Sequence, residues 1–470
     1  MRHRRGGDLT AVPSAAAGDT GRSRARRWTL VATSLGFAVV QLDVSVVNVA
    51  IRPIGESLGG GLSSLQWVVS AYTLAFAALI LTAGALGDRV GARRVFIAGF
   101  VVFTLASAAC GLAPSMPALI ASRVVQGVGA AVLGGTSLSL LSHTFPEPRE
   151  RAKAVGLWAA GASAALAGGP LVGGLLTATL GWRSIFFINA PIGLAGVALT
   201  LRWAAETTRS AERGVDVVGQ LTAVVCLTAL AAATIEGGTL GFADGRVLAG
   251  FALAVAAAAA FVAIESKRAR PMLPLGLFRS PSFSVSAAMG ALVNVAFYGL
   301  IFVLSLYFQR GQHLSSLQTG LAFAPMTAAI MAANLLAGRA SHFLGQRRTI
   351  AAGALPMAVG CAALLGAGRH TPYAALVIQM LVIGFGLGLI VPAMTAALLS
   401  SVDRTRSGVA SGILNSSRQT GSMIGVALFG SLIAGSGRLV PGLHIALAIS
   451  TGLVLAVAAL TTGIAKPAIP

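Results

Sequence analysis

G-A-L-G-D-R-V-G-A-R-R, Gly84 to Arg94, stands between two apolar runs at residues 65–86 and 95–112. It concentrates Asp88, Arg89, Arg93 and Arg94 in a chain that is only 10% charged. Gly87 and Gly91 permit a tight turn, Asp88 is placed for the start of the next helix, where a carboxylate is favoured, and Arg89, Arg93 and Arg94 can pair with it or with lipid phosphates. A related stretch, G-R-A-S-H-F-L-G-Q-R-R, runs from Gly338 to Arg348 and again lies between apolar runs, 320–342 and 349–367. At a shift of 254 residues, Gly84, Gly91, Arg93 and Arg94 keep register with Gly338, Gly345, Arg347 and Arg348. A second echo, shifted by 256, pairs Gly156, Ala165, Gly169 and Gly174 with Gly412, Gly421, Gly425 and Gly430. Two echoes, each spaced by eight apolar runs, predict an internal duplication.

The chain is 56% hydrophobic. Apolar runs of about 20 residues, the length that crosses a bilayer, recur from 29–51 to 443–464, and we count fourteen. Each is too long and continuous for a barrel strand, and helices satisfy their own backbone polar groups in lipid. The 58 glycines suit close helix–helix approach. The expected fold is an all-α integral membrane protein with 14 transmembrane helices. Two six-helix bundles, 29–203 and 283–465, flank a linker, 204–282, that carries two inserted helices. Residues 1–28, rich in Arg, Gly, Ala and Ser, read as a disordered basic cytoplasmic tail.

The formal net charge is +20, and its distribution points to topology rather than nucleic acid. With the N-terminus inside and alternating sides, six of 34 basic residues fall outside: Arg52, Arg183, Arg246, Arg310, Arg369 and Arg438. Arg123 and Arg418 lie within runs, and the rest are cytoplasmic. That is the positive-inside pattern. It predicts a multi-pass protein of the cytoplasmic membrane with both termini inside. Cys110, Cys226 and Cys361 each sit in an apolar run, with neither disulfide nor metal spacing. No phosphate-binding loop occurs, and the six histidines are scattered, so no cofactor, metal site or enzyme activity is expected.

Of fourteen acids, Asp43 alone lies well inside a long apolar run. A carboxylate there is costly unless neutralised, paired or hydrated, which makes it the candidate titrating group. Arg123, in the fourth run, stays protonated when buried and needs a counter-charge or carbonyl partners. Gln126 follows it by three residues and shares its face.

The Gly84–Arg94 turn closely resembles the loop 2–3 signature of the major facilitator superfamily. R-V-V-Q-G-V-G-A-A (Arg123 to Ala131) resembles a second family signature, and Gly156, Gly169-Pro170 and Gly173-Gly174 resemble the antiporter signature of its exporters. L-D-V-S-V-V-N-V-A-I-R-P-I (Leu42 to Ile54) resembles a motif of the fourteen-helix drug:proton antiporter branch, with Asp43 and Asn48 as matches. That branch usually has proline where Arg52 stands; here it follows at Pro53. Q-W-V-V-S-A-Y (Gln66 to Tyr72), Gly181 to Gly193 and Gly408 to Gly421 match the same branch. The resemblance covers nearly the whole chain outside the tail. It implies parallel halves around a central cavity, a conformational latch at the Gly84–Arg94 turn, and proton coupling through Asp43 and Arg123. It also implies export, by alternating access, of small hydrophobic drugs, antibiotics or dyes. The partners are then a small-molecule substrate, protons and the bilayer, with the proton as coupling ion and the chain a monomer. Candidate cavity residues are Asn48, Trp67, Tyr72, Gln126, Tyr298, Phe302, Asn415 and Arg418. Competing readings are a dedicated exporter of an endogenous metabolite and a non-transporting membrane sensor.

Overall fold

The structure, a computed structural model, describes residues 15–207, 216–268, 271–403, 406–434 and 438–464. Their regular secondary structure is entirely helical. Short connectors join α1 (Ala15–Leu58), α2 (Leu62–Val90), α3 (Ala92–Leu112), α4 (Met116–Thr144) and α5 (Pro148–Leu180). The sixth run is interrupted at Ile188 into α6 (Ser184–Phe187) and α7 (Asn189–Trp203). The inserted pair is α8 (Val217–Leu240) and α9 (Gly245–Lys267). Then come α10 (Pro281–Leu306), a π turn at Tyr307–Gly311, α11 (Ser316–Ala322), α12 (Ala324–Ala363), α13 (Ala374–Ser400), α14 (Ser407–Leu432) and α15 (Leu439–Leu460).

One expectation is corrected, and a second is met in part. The N-terminal segment is helical from Ala15, where an irregular tail was expected up to residue 28. Its Ala and Arg residues are good helix formers. The extension is tied down, with Arg24 over the Trp203 ring and Arg26 bonded to Glu150 at 3.0 Å. The second concerns the span count: among the described residues, twelve helical stretches are long and apolar enough to cross a membrane, not fourteen. One of the twelve, Ser316–Gly366, is 51 residues long. It contains Gly345 at φ 78° and ψ 159°, a conformation closed to residues with a Cβ. The other difference is α14, which is long enough but carries Asn415, Arg418, Gln419 and several serines.

Both sequence echoes occupy equivalent places. Gly91, at φ 115°, separates α2 from α3, and Gly345, its counterpart 254 residues on, breaks α12. Gly169 and Gly173 bring α5 against Ser45 and Val46 of α1. Gly421 and Gly425 bring α14 against Ala291 and Val295 of α10. The glycines also serve cross contacts between the halves. Gly174 of α5 meets Ser316 and Gly320 of α11, while Gly430 of α14 meets Gln66 of α2. The inserted α8 lies along that second seam, donating from Gln220 Nε2 to the Ala78 carbonyl (3.0 Å), with Gly238 against Ser431.

At the end remote from the N-terminus, hydrogen bonds tie the halves together. Pro53 lies inside α1 and has no N–H to give the Val49 carbonyl, its partner four residues earlier. Gln309 Nε2 takes that place at 2.9 Å. Ser305 Oγ donates to the Asn48 carbonyl at 2.6 Å, and Arg52 Nη1 donates to the Gln309 carbonyl at 2.7 Å. On the other side, Gln66 Nε2 donates to the Val426 and Ala427 carbonyls at 3.2 and 2.7 Å.

Candidate coupling site and central cleft

Asp43 sits midway along α1 and is 2% exposed. Its carboxylate accepts from Arg123 Nη1, from Gln126 Nε2 at 2.8 Å and from Asn189 Nδ2 at 3.1 Å. Arg123 also donates to Gln126 Oε1 at 2.7 Å and to the Val68 carbonyl at 3.0 Å, and lies 4.2 Å over the Tyr72 ring. Tyr72 Oη donates to the Val40 carbonyl at 3.2 Å. Asn189 Nδ2 also reaches Ser107 Oγ at 2.9 Å. Five helices, α1, α2, α3, α4 and α7, thus contribute to the shell of one carboxylate, and the break before α7 places Asn189 there. Burial of an ion pair is tolerable only when hydrogen bonds meet its remaining polar atoms, and here both carboxylate oxygens and Arg123 Nη1 and Nε are bonded.

Gln126 and Tyr72, expected in the cavity, instead form the wall of this pair. The reason is chemical: a buried guanidinium recruits nearby amides and ring faces. Asn189 and Ser107 were missed as site residues. The available signal was an asparagine inside the Gly181–Gly193 stretch, next to an apolar run.

A small cleft lies between the halves, with a volume of about 20 Å³, room for roughly one water. Ser45 and Asn48 of α1, Pro170 of α5, Tyr298 of α10 and Thr327 of α12 line it. Trp67 packs beside Leu74, Ala231 and Met423, at the seam of α2, α8 and α14. Phe302 is fully buried in helix packing. Asn415 and Arg418 lie on α14, whose Ser416, Ser417 and Thr420 border a larger cavity of about 320 Å³ walled also by the inserted helices.

The Gly84–Arg94 turn departs from its expected wiring. Asp88 stays within the last turn of α2 and accepts from Ser139 Oγ at 3.2 Å. Glu206, from the segment after α7, serves the α3 N-terminus: its carboxylate accepts from the Arg93 backbone at 3.1 Å and pairs with Arg94 at 3.5 Å. Arg93 Nη2 donates to the Leu201 carbonyl at 2.6 Å, at the α7 C-terminus, where a cation is favoured. Arg93 and Arg94 are thus held by contacts inside the N-terminal half, and Arg89 is exposed.

Membrane-length helices in two echoing sets, with a cleft between them and a sealed ion pair beside it, define a multi-pass membrane transporter rather than an enzyme. The chain belongs to the Major Facilitator Superfamily, whose family profile matches residues 33–426 and 287–469. It is 41% identical over 404 residues to the methylenomycin A resistance protein of Streptomyces coelicolor, covering 86% of this chain and 85% of that one. It is 37% identical to the multidrug resistance protein Stp of Mycobacterium tuberculosis (88% and 76% covered). It is 32% identical to the tetracenomycin C resistance and export protein of Streptomyces glaucescens (87% and 77%). The human organic anion transporter MFSD10 (TETRAN) shares the fold, with TM-score 0.65 and 15% identity, covering 93% of this chain and 99% of that one.

Proposed function

We propose that this protein is a proton-driven exporter of small, largely apolar molecules, antibiotics and dyes among them, working by alternating access across the cytoplasmic membrane. Relatives named for drug resistance and export support the cargo class. The observation that carries the coupling is the Asp43–Arg123 pair, enclosed in the N-terminal half beside the cleft. Protonating Asp43 dissolves the pair and frees Arg123, so the proton distinguishes two packings of the half. A ligand shifts an equilibrium only through such a difference.

In this reading the chain crosses the membrane fourteen times. Gly345 divides the Ser316–Gly366 stretch into two crossings. The polar α14 makes another, enclosed by α10, α2 and α8. The halves are 29–203 and 283–465, with 204–282 as linker and inserted pair. Both termini are cytoplasmic by the positive-inside rule. The Gln309–Val49 and Gln66–Ala427 bonds then close the outer face. Pro170 and Gly174 serve the α5–α11 contact that opens in the other state, with Gly156, Gly169 and Gly173 along the same helix. The Gly84–Arg94 turn acts as the latch. The protein works as a monomer without cofactor, exchanging substrate for protons.

Counterflow in proteoliposomes with an imposed pH gradient tests this. Substrate-induced proton release is expected in the wild type and absent in Asp43→Asn; unchanged proton-driven export in that variant overturns the coupling role. The name of the Streptomyces glaucescens relative, which joins resistance with export of one compound, favours a second reading: a dedicated exporter of an endogenous antibiotic. A narrow substrate profile in the same assay would separate it from broad efflux.

A further inference from the structure

Arg418 stands out in the C-terminal half. It lies where α10, α13 and α14 meet, its stem against Gly290 and close to Leu414 and Met394. It is partly exposed, yet its Nε is buried without an acceptor. Among the described residues no carboxylate pairs with it. The sequence explains why: beyond Pro281 the chain has one acid, Asp403, at the start of the segment before α14. Asp43 is already engaged by Arg123. The two membrane arginines therefore differ. Arg123 is neutralised by its own half, and Arg418 is a cation for which no described residue supplies the counter-charge.

An arginine stays protonated at this depth, and a membrane charge left unpaired is expensive. Its surroundings are suited to a polar guest. Asn415 and Ser422, three residues before and four after, share its helix face, and Ser422 Oγ also lacks a partner. Tyr298, within electrostatic reach of Arg418, lines the central cleft.

We propose that Arg418 is the receptor for an anionic group on the transported molecule, a carboxylate above all, whose planar geometry matches the guanidinium fork. This rests on the export reading and narrows it: the favoured cargo is an apolar body carrying one acid. With one proton entering for each anion leaving, transport moves two charges in the same sense and is driven by membrane potential as well as by the pH gradient.

The test uses full-length protein in pure phosphatidylcholine vesicles, so that no anionic headgroup competes. Three aryl carboxylates (nalidixate, fluorescein and naphthoate), their ethyl esters and ethidium serve as probes. The readout is the ratio of acid to ester transport within each preparation, which is insensitive to the amount of folded protein. The wild type is expected to prefer acids, Arg418→Lys to keep the preference in weakened form, and Arg418→Gln to lower the ratio about tenfold or more, the scale of one charge-assisted bond. Wild type that moves esters or ethidium but no acid overturns the anion site while leaving export intact. An unchanged ratio in Arg418→Gln overturns it as well. Failure to move any probe overturns the export reading, and the anion site with it.

Discussion

Replacing Asp43 by Asn removes one charge from a shell built to hold two. Three donors converge on the carboxylate, from Arg123, Gln126 and Asn189. The guanidinium behind it is 1% exposed. Breaking a buried pair by removing one partner costs about 3–5 kcal/mol, because the other charge stays buried. The new amide also brings an NH2 toward Gln126 Nε2 and Asn189 Nδ2, which are already donors, so at least one bond is lost; an unmet buried group adds about 1–3 kcal/mol. The Val68 carbonyl, Gln126 Oε1 and the Tyr72 face remain available to Arg123 and hold the total near the lower end. Adding Arg123→Met removes the stranded cation, so the double variant should be more stable than Asp43→Asn alone, with a coupling energy of about 1–3 kcal/mol. SDS titration of all four proteins in mixed micelles measures the cycle. A wild-type unfolding midpoint for Asp43→Asn, or no coupling between the two substitutions, would refute the account of the pair. Proton-driven transport should be lost in all three variants, which separates a stability rescue from a functional one.

Asn189→Leu removes one donor to Asp43 and one contact to Ser107; we expect proton-coupled export to fall with its pH profile displaced, measured by flux across a series of outer pH values. Gln309→Leu leaves the Val49 carbonyl without a donor, at about 1–3 kcal/mol against the closed outer face. In a Ser45→Cys background, labelling by an impermeant maleimide from outside should then speed up about tenfold, and an unchanged rate argues against this clamp. Gly91→Ala and Gly345→Ala each force a Cβ onto positive-φ backbone, for about 1–3 kcal/mol apiece; both should lower the yield of folded protein, seen by size-exclusion chromatography, while Gly156→Ala, which meets open space, should not. Gly174→Val drives a side chain into the backbone of Ser316 and Leu317 and should abolish cycling while leaving monomer yield intact.

Much of this was legible in the sequence because membrane constraints are strong. Run length marked the helices, and the echo at 254 residues anticipated the matching breaks at Gly91 and Gly345. The cost of a lone carboxylate in lipid singled out Asp43, and the need of a buried arginine for a counter-charge made Arg123 its partner. What stayed hidden depends on which faces meet. The spacing of Arg123 and Gln126 shows that they share a face, but not that Tyr72 and Asn189 close around it. Trp67 reads as an aromatic available to a cavity, and only the position of α8 and α14 turns it into packing. Asp88 seemed suited to the start of α3, a place that Glu206 reaches from more than a hundred residues away. Such long-range substitutions of one carboxylate for another leave no local pattern.

The enclosure of Asp43 within its own half has an evolutionary consequence. If Asp43 carries the proton as proposed, the face of α14 around Arg418 can accept substitutions without disturbing the helices that enclose Asp43. Energy transduction and cargo choice can therefore change independently. A lineage carrying this architecture can meet a new toxin by altering a few C-terminal side chains while its drive mechanism is inherited unaltered.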